Sequence, residues 1–259
     1  MRTVTTFILT LCIAFIFVGY GDGMGQEGGD PQKPSTSGPY AKEGFATQIE
    51  DGRLWVFRPD KLEKSDKHVT YIAAGPEGMT LRSPDKETAL AYLAAKSGFQ
   101  TEIVDGRIWV WNKHDEKKFS DKHSTLIGAG PMGMTVKALD KDTALFYLSA
   151  KPGFITQVED GRLWVFKQGS DMKKSDKHAT LIGAGPAGMT IKALDKDTAI
   201  QYVAHKEGFV TMVEDGRLWV FREGVETKLS DKHVTRIGAG PMKMTVKALD
   251  KDTLLAYLR

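Results

Sequence analysis

The residues of this chain that could do chemistry come in fours. Ser65-Asp66-Lys67-His68 returns as Ser120 to His123, Ser175 to His178 and Ser230 to His233. His68, His123, His178 and His233 are thus spaced by 55 residues. Imidazole suits zinc, copper, nickel or haem iron, but one histidine per copy makes a metal or haem site only if the four copies meet. The plainer reading is a structural histidine at the edge of a core, hydrogen-bonded to a neighbouring Asp or Thr. The serine, aspartate and histidine lie too close along one strand to form a nucleophilic triad. No cysteine remains beyond Cys12 to act as a nucleophile or thiolate ligand.

Two further sets recur beside the histidines. Lys67, Lys122, Lys177 and Lys232, with Arg53, Arg107, Arg162 and Arg217, are candidate ligand-binding positions for an anion, four sites per chain. The alternative for them is a solvated charged edge. Ile127-Gly128-Ala129-Gly130-Pro131-Met132-Gly133 and Ile182 to Gly188 resemble the glycine-rich phosphate fingerprint of flavin and nicotinamide enzymes. That fingerprint needs a helix to open at the loop, with its N-terminus facing the pyrophosphate. Here a strand-like run, Met134 to Lys137, follows instead. A hairpin turn is the better reading, and a dinucleotide-dependent oxidoreductase is a remote one.

The elements that position these residues are legible from four-way comparison within the chain. Each unit opens with Gly-Phe, as at Gly44-Phe45, and runs through a segment in which fixed and drifting positions alternate. That is a strand with one buried face. Asp51-Gly52 and its three equivalents then predict a tight hairpin turn. The return strand Arg53 to Phe57 drifts little at any position, so it reads as buried on both faces, with Trp55, Trp109, Trp164 and Trp219 in the core. A variable charged loop leads to the histidine, which begins a third strand. There His68, Thr70 and Ile72 share a face with nothing changing between copies, which predicts that Ile72 is buried. Gly75-Pro76 makes a turn into a fourth strand. A short helix closes the unit, with Asp140 as its N-cap in the second copy and Pro152-Gly153 beyond its end.

The expected fold class is therefore α+β: four tandem ββββα repeats of about 55 residues, built from antiparallel hairpins and one short helix each. Residues 44-97, 98-152, 153-207 and 208-259 are the four units. A unit this small buries too little surface to be stable alone, so the units pack as beads or close into a ring like a small four-bladed propeller. Before them, residues 1-21 read as a signal peptide, with Arg2 ahead of an apolar run from Phe7 to Val18. Residues 22-43 read as a disordered Gly/Ser/Pro linker. The chain is expected to be exported, periplasmic or secreted in the bacterial manner. It would touch a membrane only through that N-terminal segment if uncleaved.

Net charge is +3 with both signs interspersed, which argues against nucleic acid as a partner. The function expected from the sequence is a non-catalytic tandem-repeat binding or scaffold protein. Its partner would be a protein, a glycan or a small anionic ligand, and it would carry no cofactor.

Overall fold

The computed structural model describes residues 33–259 apart from Pro39. The expected signal peptide, and the expected linker before residue 33, lie outside the described residues. Four units follow one another. The first has β1 (Ala46–Glu50), β2 (Arg53–Phe57), β3 (Val69–Tyr71), β4 (Thr80–Ser83) and helix α1 (Lys86–Ala94). The second has β5 (Phe99–Val104), β6 (Arg107–Asn112), β7 (Ser124–Leu126), β8 (Val136–Ala138) and α2 (Lys141–Ser149). The third has β9 (Phe154–Glu159), β10 (Arg162–Lys167), β11 (Ala179–Leu181), β12 (Thr190–Ala193) and α3 (Lys196–Ala204). The fourth has β13 (Phe209–Glu214), β14 (Arg217–Arg222), β15 (Val234–Arg236), β16 (Val246–Ala248) and α4 (Lys251–Leu258). A 3-10 turn precedes the last strand of every unit.

The four tandem ββββα repeats are thus present, with one refinement. The sheet order is β1-β2-β4-β3 in the first unit and equivalent in the others. Two antiparallel hairpins lie side by side, and the last strand of each unit slots in parallel to the second. The Asp-Gly turns hold φ values near 50° at Asp51 and 68° at Gly52, as a type I′ turn requires. The second strand is central and covered on both faces: Leu54, Trp55, Val56 and Phe57 are all buried. Leu54 and Val56 face the helix side, and Trp55 and Phe57 the other.

Each of the four described α-helices starts on an aspartate. Asp85, Asp140, Asp195 and Asp250 accept from the amide of the threonine three residues on, and the threonine hydroxyl donates to the second carboxylate oxygen. The helices carry apolar residues on two sides. Ala144 and Tyr147 of α2 pack into the core of their own unit, whereas Leu145 enters the core of the third. Leu90 of α1 enters the second core in the same way, and Ile200 of α3 the fourth. Sharing helices between sheets is how units of this size cover their apolar surface.

Polar contacts lock the same junctions. Tyr147 donates its hydroxyl to the carbonyl of Ala94, Tyr202 to that of Ser149 and Tyr257 to that of Ala204, at 2.8–2.9 Å. In the other direction, Lys96, Lys151 and Lys206 donate to the carbonyls of Tyr147, Tyr202 and Tyr257 near the ends of the helices. Each of these ammonium groups also lies 4.5–5.0 Å from the centre of that tyrosine ring.

Among the described residues no helix precedes the first unit, and residues 40–42 stand in for one. Tyr92 donates to the carbonyl of Tyr40, and Lys42 donates to the carbonyl of Tyr92. Ser35 is bridged to Thr47. The end of the stretch expected as linker is therefore part of the fold. Composition misled because a few residues suffice: Tyr40 and Lys42 occupy the places of Ala94 and Lys96, while the surrounding Gly, Ser and Pro only connect them.

The contacts also run from the last unit back to the first. The 3-10 turn of each unit packs on the helix of the unit before it, and Pro76–Gly78 packs on α4. The amide of Glu77 donates to the carbonyl of Glu207 at 3.1 Å. Arg222 makes an ion pair with the Glu77 carboxylate, which also accepts from the hydroxyl of Tyr40. Of the two packings considered from the sequence, the contacts are those of a closed ring.

Replacing Glu77 by Ala should cost about 2 kcal/mol in denaturant unfolding, since it strips the partner from Arg222 and Tyr40 together. Hydrogen exchange should quicken first at α4 and residues 75–79. A second test uses pH. Burial holds the Lys96 and Lys151 ammonium groups down to about 8, against 10.5 ordinarily. Between those values the unfolded chain binds protons that the folded chain lacks, so stability rises with pH. Burial pushes the tyrosine hydroxyls up, Tyr257 to about 12. Above their ordinary value of 10.0 the unfolded chain loses protons that the folded chain keeps, and stability falls. Melting temperature should therefore rise above pH 8 and peak near pH 10, and Lys96→Met should flatten the rise. A steady decline from neutral pH would contradict this account.

Candidate functional site

The Ser-Asp-Lys-His segment folds over the outer face of each sheet. The serine hydroxyl accepts from the amide of the lysine two residues on, which forms a tight local turn. The histidine Nδ1 lies 2.8–3.2 Å from the carbonyl of the same serine. A carbonyl only accepts, so Nδ1 carries the proton and the lone pair of the neutral ring is on Nε2. Each histidine ring lies 5.0–5.1 Å from the tryptophan of its own unit.

Those tryptophans are enclosed. From the adjacent strand Arg82, Lys137, Lys192 and Lys247 lie 5.1–5.6 Å from the ring centres. Phe57 and its equivalents stack beside them at about 6 Å. The residue before the motif serine also contributes: Lys64 and Lys174 lie over the ring and pair with Glu50 and Glu159, while Phe119 packs edge-on against Trp109. The tryptophans are core, and no stacking platform for a base or sugar is open there.

The histidines do not meet. Among the described residues no group of three His, Cys, Asp or Glu is placed to hold a metal ion. Each of the four is tied to its own tryptophan and serine, so the convergence that a shared metal or haem site requires is not seen. The glycine loops run into 3-10 turns and then strands, so no α-helix opens at them. The lysines Lys67, Lys122, Lys177 and Lys232 are exposed. Arg107, Arg162 and Arg217 are exposed too, and Arg53 is half-buried. No ion pair or hydrogen bond among the described residues joins one set to the other. Of the two extra histidines, His114 is exposed, whereas His205 is half-buried against Phe154.

One expectation is overturned. Ile72, predicted to be buried, is 83% exposed, and Ile127, Ile182 and Ile237 are 87–89% exposed. The strand ends one residue earlier, at Tyr71, so the isoleucine sits in the turn and the alternation does not reach it. The next residue turns the chain with a positive φ, 55° at Ala73 and 66–68° at the three equivalent glycines. The half-buried positions of the third strand are the drifting ones, Val69 and Tyr71. Tyr71 and Leu126 pack against neighbouring cores, where apolar residues of different size are accommodated. The unchanging positions Asp66, Lys67, Thr70 and Ile72 are exposed. Sequence reasoning also missed the junction tyrosines and lysines, although both recur in register in the chain.

Replacing His123 by Ala should cost about 1–2 kcal/mol, because it breaks the Ser120 bond and uncovers Trp109. Tryptophan emission should shift to longer wavelength in the folded variant. No family model matches this chain, and no curated protein or solved structure proves similar to it.

Proposed function

We propose that this chain is an exported, non-catalytic scaffold that holds a protein partner through four copies of one turn. The turns are Ile72 to Pro76 and the equivalents beginning at Ile127, Ile182 and Ile237. The supporting observation is that the same large apolar residue stands at 83–89% exposure in every unit. The residue before it changes between Tyr, Leu and Arg over the same four copies, half-buried in the first three and exposed as Arg236. The fold gains no burial from an isoleucine held at this position. A binding surface does, because an exposed branched side chain at a rigid turn enters an apolar recess at little entropic cost. Export rests on the apolar run from Phe7 to Val18. The exposed Thr70 and Lys67 positions flank each turn in the chain and supply polar contacts at its rim.

The test is the fourfold variant Ile72→Ser, Ile127→Ser, Ile182→Ser, Ile237→Ser. Stability should change by no more than about 0.5 kcal/mol per site. Cross-linking in the cell that exports the chain, read by mass spectrometry, should capture proteins with the wild type that the variant loses. Identical captures from both chains, or a variant that unfolds, would show that the isoleucines are not a binding surface.

A further inference from the structure

The first strand of each unit is an edge strand, and the four edges are not alike. In the first unit the edge is occupied. The amide of Ser35 donates to the carbonyl of Thr47, and the amide of Thr47 donates to the carbonyl of Ser35, both at 2.9 Å. An extended piece of chain thus adds to the sheet as a fifth strand in miniature. Beneath it Ala46, Thr47 and Gln48 are buried. In the other three units the same strand is less covered: β5 is half-buried along its whole length, Thr156 and Thr211 are half-buried, and Val210, the equivalent of Ala46, is 40% exposed.

The register shows that these edges offer the same groups. Thr47 lies opposite Val56, Thr101 opposite Val110, Thr156 opposite Val165 and Thr211 opposite Val220. In an antiparallel pair the residues alternate between bonding inward and facing outward. Thr47 faces outward, since both its amide and its carbonyl bond Ser35. Thr101, Thr156 and Thr211 must face outward too, and among the described residues no backbone group of theirs is bonded beyond its own sheet. The Thr156 hydroxyl is engaged with Ser149, which leaves the backbone pair available.

We propose that the edges of β5, β9 and β13 are strand-acceptor sites for an extended segment of small, uncharged residues supplied by another polypeptide. The chemistry of the occupant is that of Pro34-Ser35-Thr36-Ser37-Gly38, which already sits on the equivalent edge. This segment turns back close above the strand: a Cβ at Gly38 would stand in ordinary contact with Thr47 Oγ1, at 3.5 Å. A second copy of this chain is the weaker donor. Its segment is held on its own Thr47 by Tyr40 and Lys42, which follow within a few residues and are anchored to α1 and to the first-to-fourth junction. This surface is separate from the isoleucine turns, which lie beyond the opposite edge strand, β3 and its equivalents.

The experiment titrates the full chain with a synthetic capped peptide of residues 33–38 and follows the protein amides by NMR. The amide signals of Thr101, Thr156 and Thr211 should shift saturably while that of Thr47 stays put. A peptide methylated on the serine amide equivalent to Ser35 should bind at least tenfold more weakly, since the donor is gone. Thr156→Pro should remove the response at the β9 edge alone, and proline is tolerated where an edge amide points outward. The methylated peptide decides the question should that variant not fold. No shifts up to millimolar peptide, shifts elsewhere, or equal binding of the methylated peptide would overturn the proposal. Concentration-dependent self-association abolished by Ser35→Pro would overturn it in favour of a second copy.

Discussion

Each helix in this fold has two apolar sides, and one sheet can cover only one of them. Leu90, Leu145 and Ile200 therefore need the sheet of the following unit, and the rest of the architecture follows from that need. The junction is then fixed in register by directional bonds, tyrosine hydroxyl to one helix end and lysine ammonium to the next. A chain of units joined this way has an uncovered helix at its end unless it closes. Leu255, the equivalent of Leu90, is half-buried and α4 rests on Pro76–Gly78 of the first unit. Closure takes the place of the polar terminal caps that open repeat arrays require.

The outer faces of the sheets meet the same demand differently. No second layer is available there, so the long loop after the second strand folds back, and the Ser-Asp-Lys-His turn seats a histidine on the tryptophan. The material used to finish the cover varies between units: a lysine paired to a glutamate in two, a phenylalanine in another. What does not vary is the serine turn and the histidine, whose backbone bond orients the ring. The motif is a clamp on the core. Its polar members that face outward, Asp66 and Lys67, lie beside the exposed isoleucine turn in the chain and belong to the surface on which the proposed function rests.

The unit, its hairpin turns, its buried second strand and its aspartate caps were all legible in the residue pattern. They rest on local chemistry: Asp-Gly needs positive φ, Asp followed by Thr three residues on satisfies a helix start, and a two-sided strand tolerates little drift. Ile72 was illegible for a related reason. Alternation assigns faces only while the strand lasts, and a one-residue difference in where it ended moved the isoleucine from core to solvent. Invariance among copies is no mark of burial here, since the half-buried Tyr71 position drifts because neighbouring cores repack around it.

The sequence by itself determined a period, a ββββα unit, a small core per unit and the class of side chain at each turn, because these depend on residues near one another in the chain. Only the tertiary structure decided that the last strand lies parallel between the second and third, that the helices are shared and that the first unit meets the fourth. It also decided that the four histidines stay apart, one per tryptophan. These are statements about pairs distant in sequence. Their outcome depends on which apolar faces can be covered at once, a constraint that no single unit carries.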